Sequence, residues 1–298
     1  MKYLPMKLTH WEGIMMKRIN ITSLLFLVAF LAGGLLAEEK AEIIGWKKQL
    51  VGNLNISQTS FDNWTKGGEN SLAWQLNLNG NFINNQSRWN LATDTKFTYG
   101  QSKINDLDSR KSIDEIRIGT VYTRKLGTHV NPYAALKFES QFAPGYKYKD
   151  TTKTEISAFM DPGYLTESIG AGWAPVPELK YRLGMALKQT FTNDFAAIYA
   201  DDPTTVEIEK FKSEIGIESI IELNRKFWEN ILLTSRLDLF YNLKALNQTD
   251  VQWDTVISAK VAKFVNVNLD FKLLYDRDIS ARRQLKQALA LGFTYSFM

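Results

Sequence analysis

"QALALGFTYSFM", residues 287–298, alternates without a break: Leu289, Leu291, Phe293, Tyr295 and Phe297 fall on one face of an extended strand. Ala288, Ala290, Gly292, Thr294 and Ser296 fall on the other. A strand with one wholly apolar, aromatic-ended face has to bury it in a core or present it to lipid. The preceding residues decide which.

The period of two recurs back to Leu50. Leu50, Leu54 and Ile56 share a face. Leu72, Trp74, Leu76, Leu78 and Phe82 oppose Gln75, Asn77, Asn79 and Asn81. Trp89, Leu91, Phe97 and Tyr99 oppose Asp94 and Lys96; Ile116, Ile118 and Tyr122 oppose Glu115 and Arg117; Leu136, Phe138 and Phe142 oppose Lys137 and Glu139. Leu165, Ile169 and Trp173 face away from Ser168, Gly170 and Gly172, and Tyr181, Leu183, Met185 and Leu187 from Arg182 and Lys188. Further on, Ile215, Ile217 and Ile221 oppose Glu214 and Glu218, and Leu233, Leu237 and Leu239 oppose Arg236 and Asp238. Val251, Trp253 and Ile257 oppose Asp254 and Lys260, and Val267, Leu269 and Phe271 oppose Asp270 and Lys272. With the opening stretch this predicts twelve strands and no helix-period segment, in one domain over residues 38–298.

The connections alternate in length. Those after even strands are short: "INNQS", "KLGTH", "PVPE", "NRKF" and "AKFV". Most after odd strands are long and rich in turn residues: "FDNWTKGGEN", "QSKINDLDSR", the stretch Pro144–Gly163, and "NDFAAIYADDPTT". Short turns on one rim and long loops on the other is the layout of an up-and-down antiparallel transmembrane β-barrel.

Composition agrees with that class and narrows it. The 298 residues contain no cysteine, which excludes disulfides, thiolate metal sites and acylation at Cys. The net charge of +4 is scattered rather than gathered in a run, so no nucleic-acid partner is expected. In "MMKRINITSLLFLVAFLAGGLLAEE", Lys17 and Arg18 precede an apolar run from Leu24 to Leu36 that ends at Ala37 before two glutamates. This is the order of a secretory signal peptide over residues 15–37, too short for the roughly 20 apolar residues of a spanning helix. A retained anchor is the alternative. Residues 1–14 lack that character and read as an upstream extension, with the start at Met15 or Met16.

The apolar face could in principle look inward. A lipocalin-like barrel uses about eight strands, however, and twelve leave an interior too wide for side chains to fill. A soluble β-sandwich is the real competitor. Against it stand opposite charges two residues apart on the polar face and aromatics near strand ends, including Trp74, Trp89, Tyr99, Tyr122, Tyr275, Tyr295 and Phe297. Every amide in hydrocarbon needs a partner, so the last strand should pair with the first. Gly292, Tyr295 and Phe297 also resemble the carboxy-terminal assembly signal of outer-membrane barrels, with Met298 after the final aromatic. The partners implied are outer-membrane lipid and the barrel-assembly machinery of a Gram-negative bacterium.

The most distinctive motif is "SQTSFDNWTKGGENSLAWQLNLNG", residues 57–80. Phe61, Asn63, Trp64, Gly67, Gly68, Asn70 and Ser71 resemble the opening pattern of domain of unknown function family 3078, exported β-rich proteins of Bacteroidetes-type bacteria. The resemblance continues through "PYAALKFESQFAPGYKY", "MDPGYLTESIGAGWAP" and "YRLGMALKQTFTND". It implies export and a β-rich fold but supplies no catalytic residue. Physically, Gly67 and Gly68 can take positive φ, Trp64 can anchor the loop, and Asn63 and Asn70 can cap it. The motif serves as a turn, or else as a ligand-reading outer loop.

Chemistry is sparse. His10 and His129 are the only histidines, and neither Ser112 nor Ser140 is placed beside one, so no catalytic residue, cofactor or transition-metal site is expected. Asp106 and Asp108, and Asp201 and Asp202, put carboxylates on outer loops that could hold Ca²⁺, but without an EF-hand pattern they read first as solvated loops. The candidate functional residues are therefore those expected to line the lumen: Asp94, Lys96, Glu115, Arg117, Lys137, Glu139, Arg182, Lys188, Glu214, Glu218, Arg236, Asp238, Lys260, Asp270 and Lys272. They could cross-link the interior or line a pore. Three functions follow: a small channel or passive transporter, a non-conducting barrel whose outer loops bind a partner or glycan, and, weakly, a lipid enzyme dependent on His129.

Overall fold

In the structure, a computed structural model, residues 44–298 are described apart from 64, 128–129, 150–151, 203–204, 246–248, 278–279 and 281. The expected leader and upstream extension, His10, Trp64 and His129 lie outside those residues. The first strands are β1 (Gly45–Thr59), β2 (Ser71–Asn85), β3 (Trp89–Ile104), β4 (Arg110–Arg124) and β5 (Val130–Ser140). A small hairpin follows, β6 (Gly145–Lys149) with β7 (Thr152–Ser157). Then come β8 (Gly163–Val176), β9 (Leu179–Phe191), the single helical turn α1 (Ala196–Tyr199) and β10 (Phe211–Trp228). The last are β11 (Ile231–Asn242), β12 (Thr249–Lys260), β13 (Val265–Tyr275) and β14 (Gln284–Ser296).

Among the described residues, twelve of these strands close into one antiparallel barrel in sequence order, with the β6–β7 hairpin outside the ring. Closure is made by β14 against β1, Val51–Ile56 lying opposite Ser296–Leu291. Two further bonds extend the seam: Phe297 N–H to the Leu50 carbonyl at 2.8 Å and Leu50 N–H to the Met298 carbonyl at 3.2 Å. No edge is left open, as a sheet in hydrocarbon requires.

The outward face is apolar and largely uncovered, although Ile116, Leu223, Leu233 and Leu237 on it are buried under their neighbours. Ile169 and Leu289 are 66% and 67% exposed, and Leu76, Leu136, Leu183, Ile215 and Leu269 are also exposed. The inward face is polar and buried: Thr98 is 1% exposed, Asn268 5% and Glu115 8%. A water-soluble protein inverts this order. Aromatic rings border the belt at both ends. At the short-turn rim Trp89 stacks on Tyr122 at 6.2 Å, and Tyr295 packs edge-on against Phe297 at 5.1 Å. At the long-loop rim Phe191 meets Phe211 at 5.1 Å and Phe97 meets Phe142 at 6.0 Å. The chain is a transmembrane barrel with its polar residues inside.

One charge breaks the belt. Glu167 on β8 is exposed among outward-facing leucines, opposite Leu136 on β5 and Leu187 on β9. It lies four residues from Gly163, which pairs with girdle residue Phe191, and six from Trp173. At about 2.5 Å of height per tilted residue, this is about 10 Å and about 15 Å from the two rims. Glu167→Leu should therefore raise barrel stability in lipid vesicles, by about 1–2 kcal/mol, read from the urea midpoint of refolded protein.

Several boundaries differ from the sequence expectation. "NRKF" is not a turn: β10 runs through it and reverses at Glu229 and Asn230. β3 reaches Ile104, which trims the outer loop to residues 105–109. The stretch Pro144–Gly163 carries the β6–β7 hairpin rather than open loop. Each difference lies beyond the apolar belt. Water wets both faces there, and a paired strand needs no alternation.

The long loops are tied to one another. Phe61 N–H donates to Asn70 Oδ1 at 2.6 Å, Asn70 N–H to Asn105 Oδ1 at 2.8 Å, and Asn105 N–H back to the Asn70 carbonyl at 2.8 Å. Asn63, Gly67 and Gly68 take φ of 50°, 81° and 139°. The Phe61 ring lies where a side chain on Gly68 would stand, 2.6 Å from its ideal Cβ. The motif is thus a turn that clasps two loops. A second clasp is Asp161, whose Oδ2 accepts the amides of Asn193 at 3.1 Å and Asp194 at 2.9 Å. Burial pushes this carboxyl up, but the donated amides of Asp194 and Asn193 outweigh burial and hold it below its ordinary range. A depressed carboxyl stabilises above its unfolded pKa, and that stabilisation is lost as pH falls through the lower folded value. Asp161→Ala should speed hydrogen exchange at the Asn193 and Asp194 amides about ten- to hundredfold at neutral pH. In the parent chain that protection should persist down to pH 4.

Candidate functional site

The inward charges form bridges across the lumen. Glu115 on β4 accepts Lys96 Nζ from β3 at 3.0 Å and Lys272 Nζ from β13 at 2.9 Å. Arg117, two residues along β4, lies 3.7 Å from Glu115 and reaches Asp254 on β12 at 3.2 Å. Lys272 completes the cluster 3.6 Å from Asp254. In ring order β4 and β12 are six places apart by either path, so Arg117–Asp254 spans the barrel's full width.

A second cluster crosses beside it. Lys137 on β5 bonds Asp238 on β11 at 3.1 Å and Glu139 at 3.3 Å. Arg236 holds Asp238 at 2.8 Å and Glu222 at 2.6 Å, and Arg182 lies 3.5 Å from Glu222. Nearer the long loops, Lys188 on β9 pairs with Asp250 at 2.6 Å and Asp276 at 3.4 Å. Buried ion pairs of this kind roughly break even in stability, while removing one member is costly. Their effect is to fix the lumen's shape.

The rest of the wall is uncharged. Asn55 accepts Asn268 Nδ2 at 3.0 Å, Asn53 donates to Thr294 at 2.5 Å, and Asn77 accepts the Thr98 hydroxyl at 3.0 Å. This amide ladder lines the closure seam between β13 and β3. Gly292 gives it room, since an ideal Cβ there would lie 2.6 Å from Asn55 Oδ1.

Two cavities flank the bridges. The outer vestibule, about 250 Å³, is lined by strand ends next to the long loops, including Ser140, Tyr164, Lys188, Asp250 and Tyr275. The other, about 20 Å³ and room for about one water, is lined by Asp94, Gly119, Arg182 and Arg236 among others. Lys137, Thr166 and Glu218 line both and form the partition.

Most of the expected lumen residues fall in these clusters, with some differences. Asp94 lies over Gly119 in the small cavity, and Glu214 accepts Asn242 at 2.8 Å and pairs with Lys212 at 3.2 Å. Asp270 keeps a buried oxygen without a hydrogen bond, and Lys260 is exposed at the short-turn rim. The same-strand pairs Glu115/Arg117, Lys137/Glu139 and Arg236/Asp238 form. In contrast, Lys96 and Lys272 turn away from Asp94 and Asp270 to share Glu115. Glu222, Asp250 and Asp276 were not expected. Glu222 continues the face of Glu214 and Glu218 by one more step of four, a signal the sequence does carry.

Ser140 and Ser112 are both engaged with other groups. Ser140 donates its hydroxyl to the Pro162 carbonyl at 2.9 Å, and Ser112 offers its carbonyl to Lys286 at 3.1 Å. Among the described residues no three His, Cys, Asp or Glu side chains converge as a metal site.

No curated protein matches the chain in sequence. Solved structures to which the chain is similar include the translocator domain of autotransporter NalP from Neisseria meningitidis, with 9% identity, 92% of this chain and 95% of that chain covered, and a TM-score of 0.42. The COG4313 outer membrane channel from Pseudomonas putida F1 has 7% identity, 88% and 98% coverage, and a TM-score of 0.40. The NanC porin has 8% identity, 83% and 97% coverage, and a TM-score of 0.35. Residues 56–146, from within β1 to within β6, match the family described as protein of unknown function DUF3078, the family that the Gly67–Gly68 motif resembles.

Proposed function

We propose that the protein is an outer-membrane channel for small polar solutes, exported through its amino-terminal segment and narrowed at its waist by ionic bridges. The observation that carries this reading is the outer vestibule, which reaches Glu115 and Lys272 of the cluster that Arg117–Asp254 closes, inside a barrel whose outer face is largely apolar. Charge rings and constrictions of this kind set which solutes pass. The test is planar-bilayer recording of the refolded full chain: small, reproducible unitary currents support the channel.

The width-spanning bridge also favours a second reading, a sealed barrel that works through its clasped outer loops. It predicts no current from the parent or from a variant lacking Arg117. It also predicts loss of surface binding when residues 159–163 or 194–205 are deleted and the barrel still folds.

A further inference from the structure

We infer that the outer vestibule is a binding site for a small organic cation, an ammonium carried on an apolar or aromatic body, with Glu218 as its carboxylate partner. This deepens the channel reading by naming the class of solute, and rests on it only for the claim that the solute passes. Six carboxylates line the vestibule against three lysines. Each lysine is already held by two acids: Lys137 by Glu139 and Asp238, Lys188 by Asp250 and Asp276, Lys272 by Glu115 and Asp254. An entering anion would meet no free cation there.

Glu218 is the group left over. It is 5% exposed and lines both cavities at the partition, where Lys137 feels its charge but bonds Glu139 and Asp238; among the described residues Glu218 makes no hydrogen bond or close ion pair of its own. A buried carboxylate that no donor contacts directly is better stabilised when a cation or a donor meets it. Phe240, directly opposite Glu218 on the next strand, lines the vestibule together with Tyr164 and Leu274 and supplies it with apolar surface. Phe240 already has Lys188 Nζ 5.7 Å from its ring centre, a position that an ammonium favours. The carboxylates do not converge on one point, so a single divalent metal ion is not the fit. The volume, about 250 Å³, lies just under the usual range for small-ligand pockets, about 300–1,000 Å³.

The test is calorimetry on the refolded full chain in detergent with three probes of one shape: benzylammonium, benzyl alcohol and benzoate. Saturable binding of benzylammonium alone is expected. Glu218→Gln should weaken it about ten- to hundredfold, and Glu218→Asp, which keeps the charge with a shorter reach, should weaken it less. Circular dichroism and gel mobility confirm that each variant is folded. Equal binding of benzyl alcohol, preference for benzoate, displacement by calcium at one ion per site, or unchanged affinity in a folded Glu218→Gln would each overturn the inference. Calorimetry does not depend on conduction. Binding without current would remove the channel and keep the site, and current without selective binding would do the reverse.

Discussion

Replacing Arg117 by alanine is expected to raise single-channel conductance severalfold while leaving the barrel folded. The guanidinium reaches from β4 to Asp254 on the opposite wall at 3.2 Å, so its removal clears a span no neighbouring strand can refill. The acids it leaves behind are not stranded. Asp254 keeps Lys272 at 3.6 Å and the Gln252 amide at 3.2 Å, and Glu115 keeps Lys96 and Lys272. The change therefore removes bulk and one charge without orphaning another.

Glu115→Ala is the contrasting case. It leaves Lys96, Arg117 and Lys272 facing one another with Asp254 as the cluster's remaining acid, a loss of about 3–5 kcal/mol for a broken buried network. The two variants separate gating from stability: the first should shift current with little change in urea midpoint, the second should shift the midpoint. Because Lys137 bridges to Asp238 independently, Arg117→Ala with Lys137→Ala should conduct more than either alone. A folded Arg117→Ala barrel with parental conductance would mean that the waist is not the barrier.

Strand count, order and closure were legible because lipid enforces alternation. Leu269 and Asp270 cannot exchange faces without putting a carboxylate into hydrocarbon, and that constraint writes the period into sequence. The rule lapses at the rims, where Gly45–Gln49 and Asn224–Trp228 are paired strand without apolar alternation. Inward direction was equally legible for Glu115, Arg117, Lys137 and Asp238. Partnership was not. Arg117 and Asp254 are 137 residues apart, and they meet only because a ring of twelve places β4 opposite β12. Lys96 shows the same limit at short range: residues two apart on a strand are spaced by nearly 7 Å, and its long side chain reaches Glu115 on the next strand instead of Asp94. Glu218 was visible as a lumen residue, but that the three vestibule lysines bond other acids is read only from the ring.

Gly292→Val should prevent stable closure of the barrel. Ideal Cβ placement at this position collides with Asn268 Nδ2, lies 2.6 Å from Asn55 Oδ1 and 3.0 Å from Asn53 Nδ2. None of the three amides can withdraw without breaking Asn55–Asn268 at 3.0 Å or Asn53–Thr294 at 2.5 Å. Overpacking costs about 1–3 kcal/mol, and each amide bond lost adds about 1 kcal/mol. The seam holding β14 to β1 has six residue pairs, fewer than the fifteen of β1 with β2, so the cost falls where the ring has least to spare. Unboiled protein should then run at its denatured position on gels. Packing and recognition by assembly machinery, the role expected of Gly292 with Tyr295 and Phe297, predict different rescues. If sterics decide, Asn268→Ala in a Gly292→Ala background should restore spontaneous folding into vesicles. If Gly292→Ala folds normally in vesicles and fails only in cells, the glycine is read by the machinery and the collision is not what limits closure.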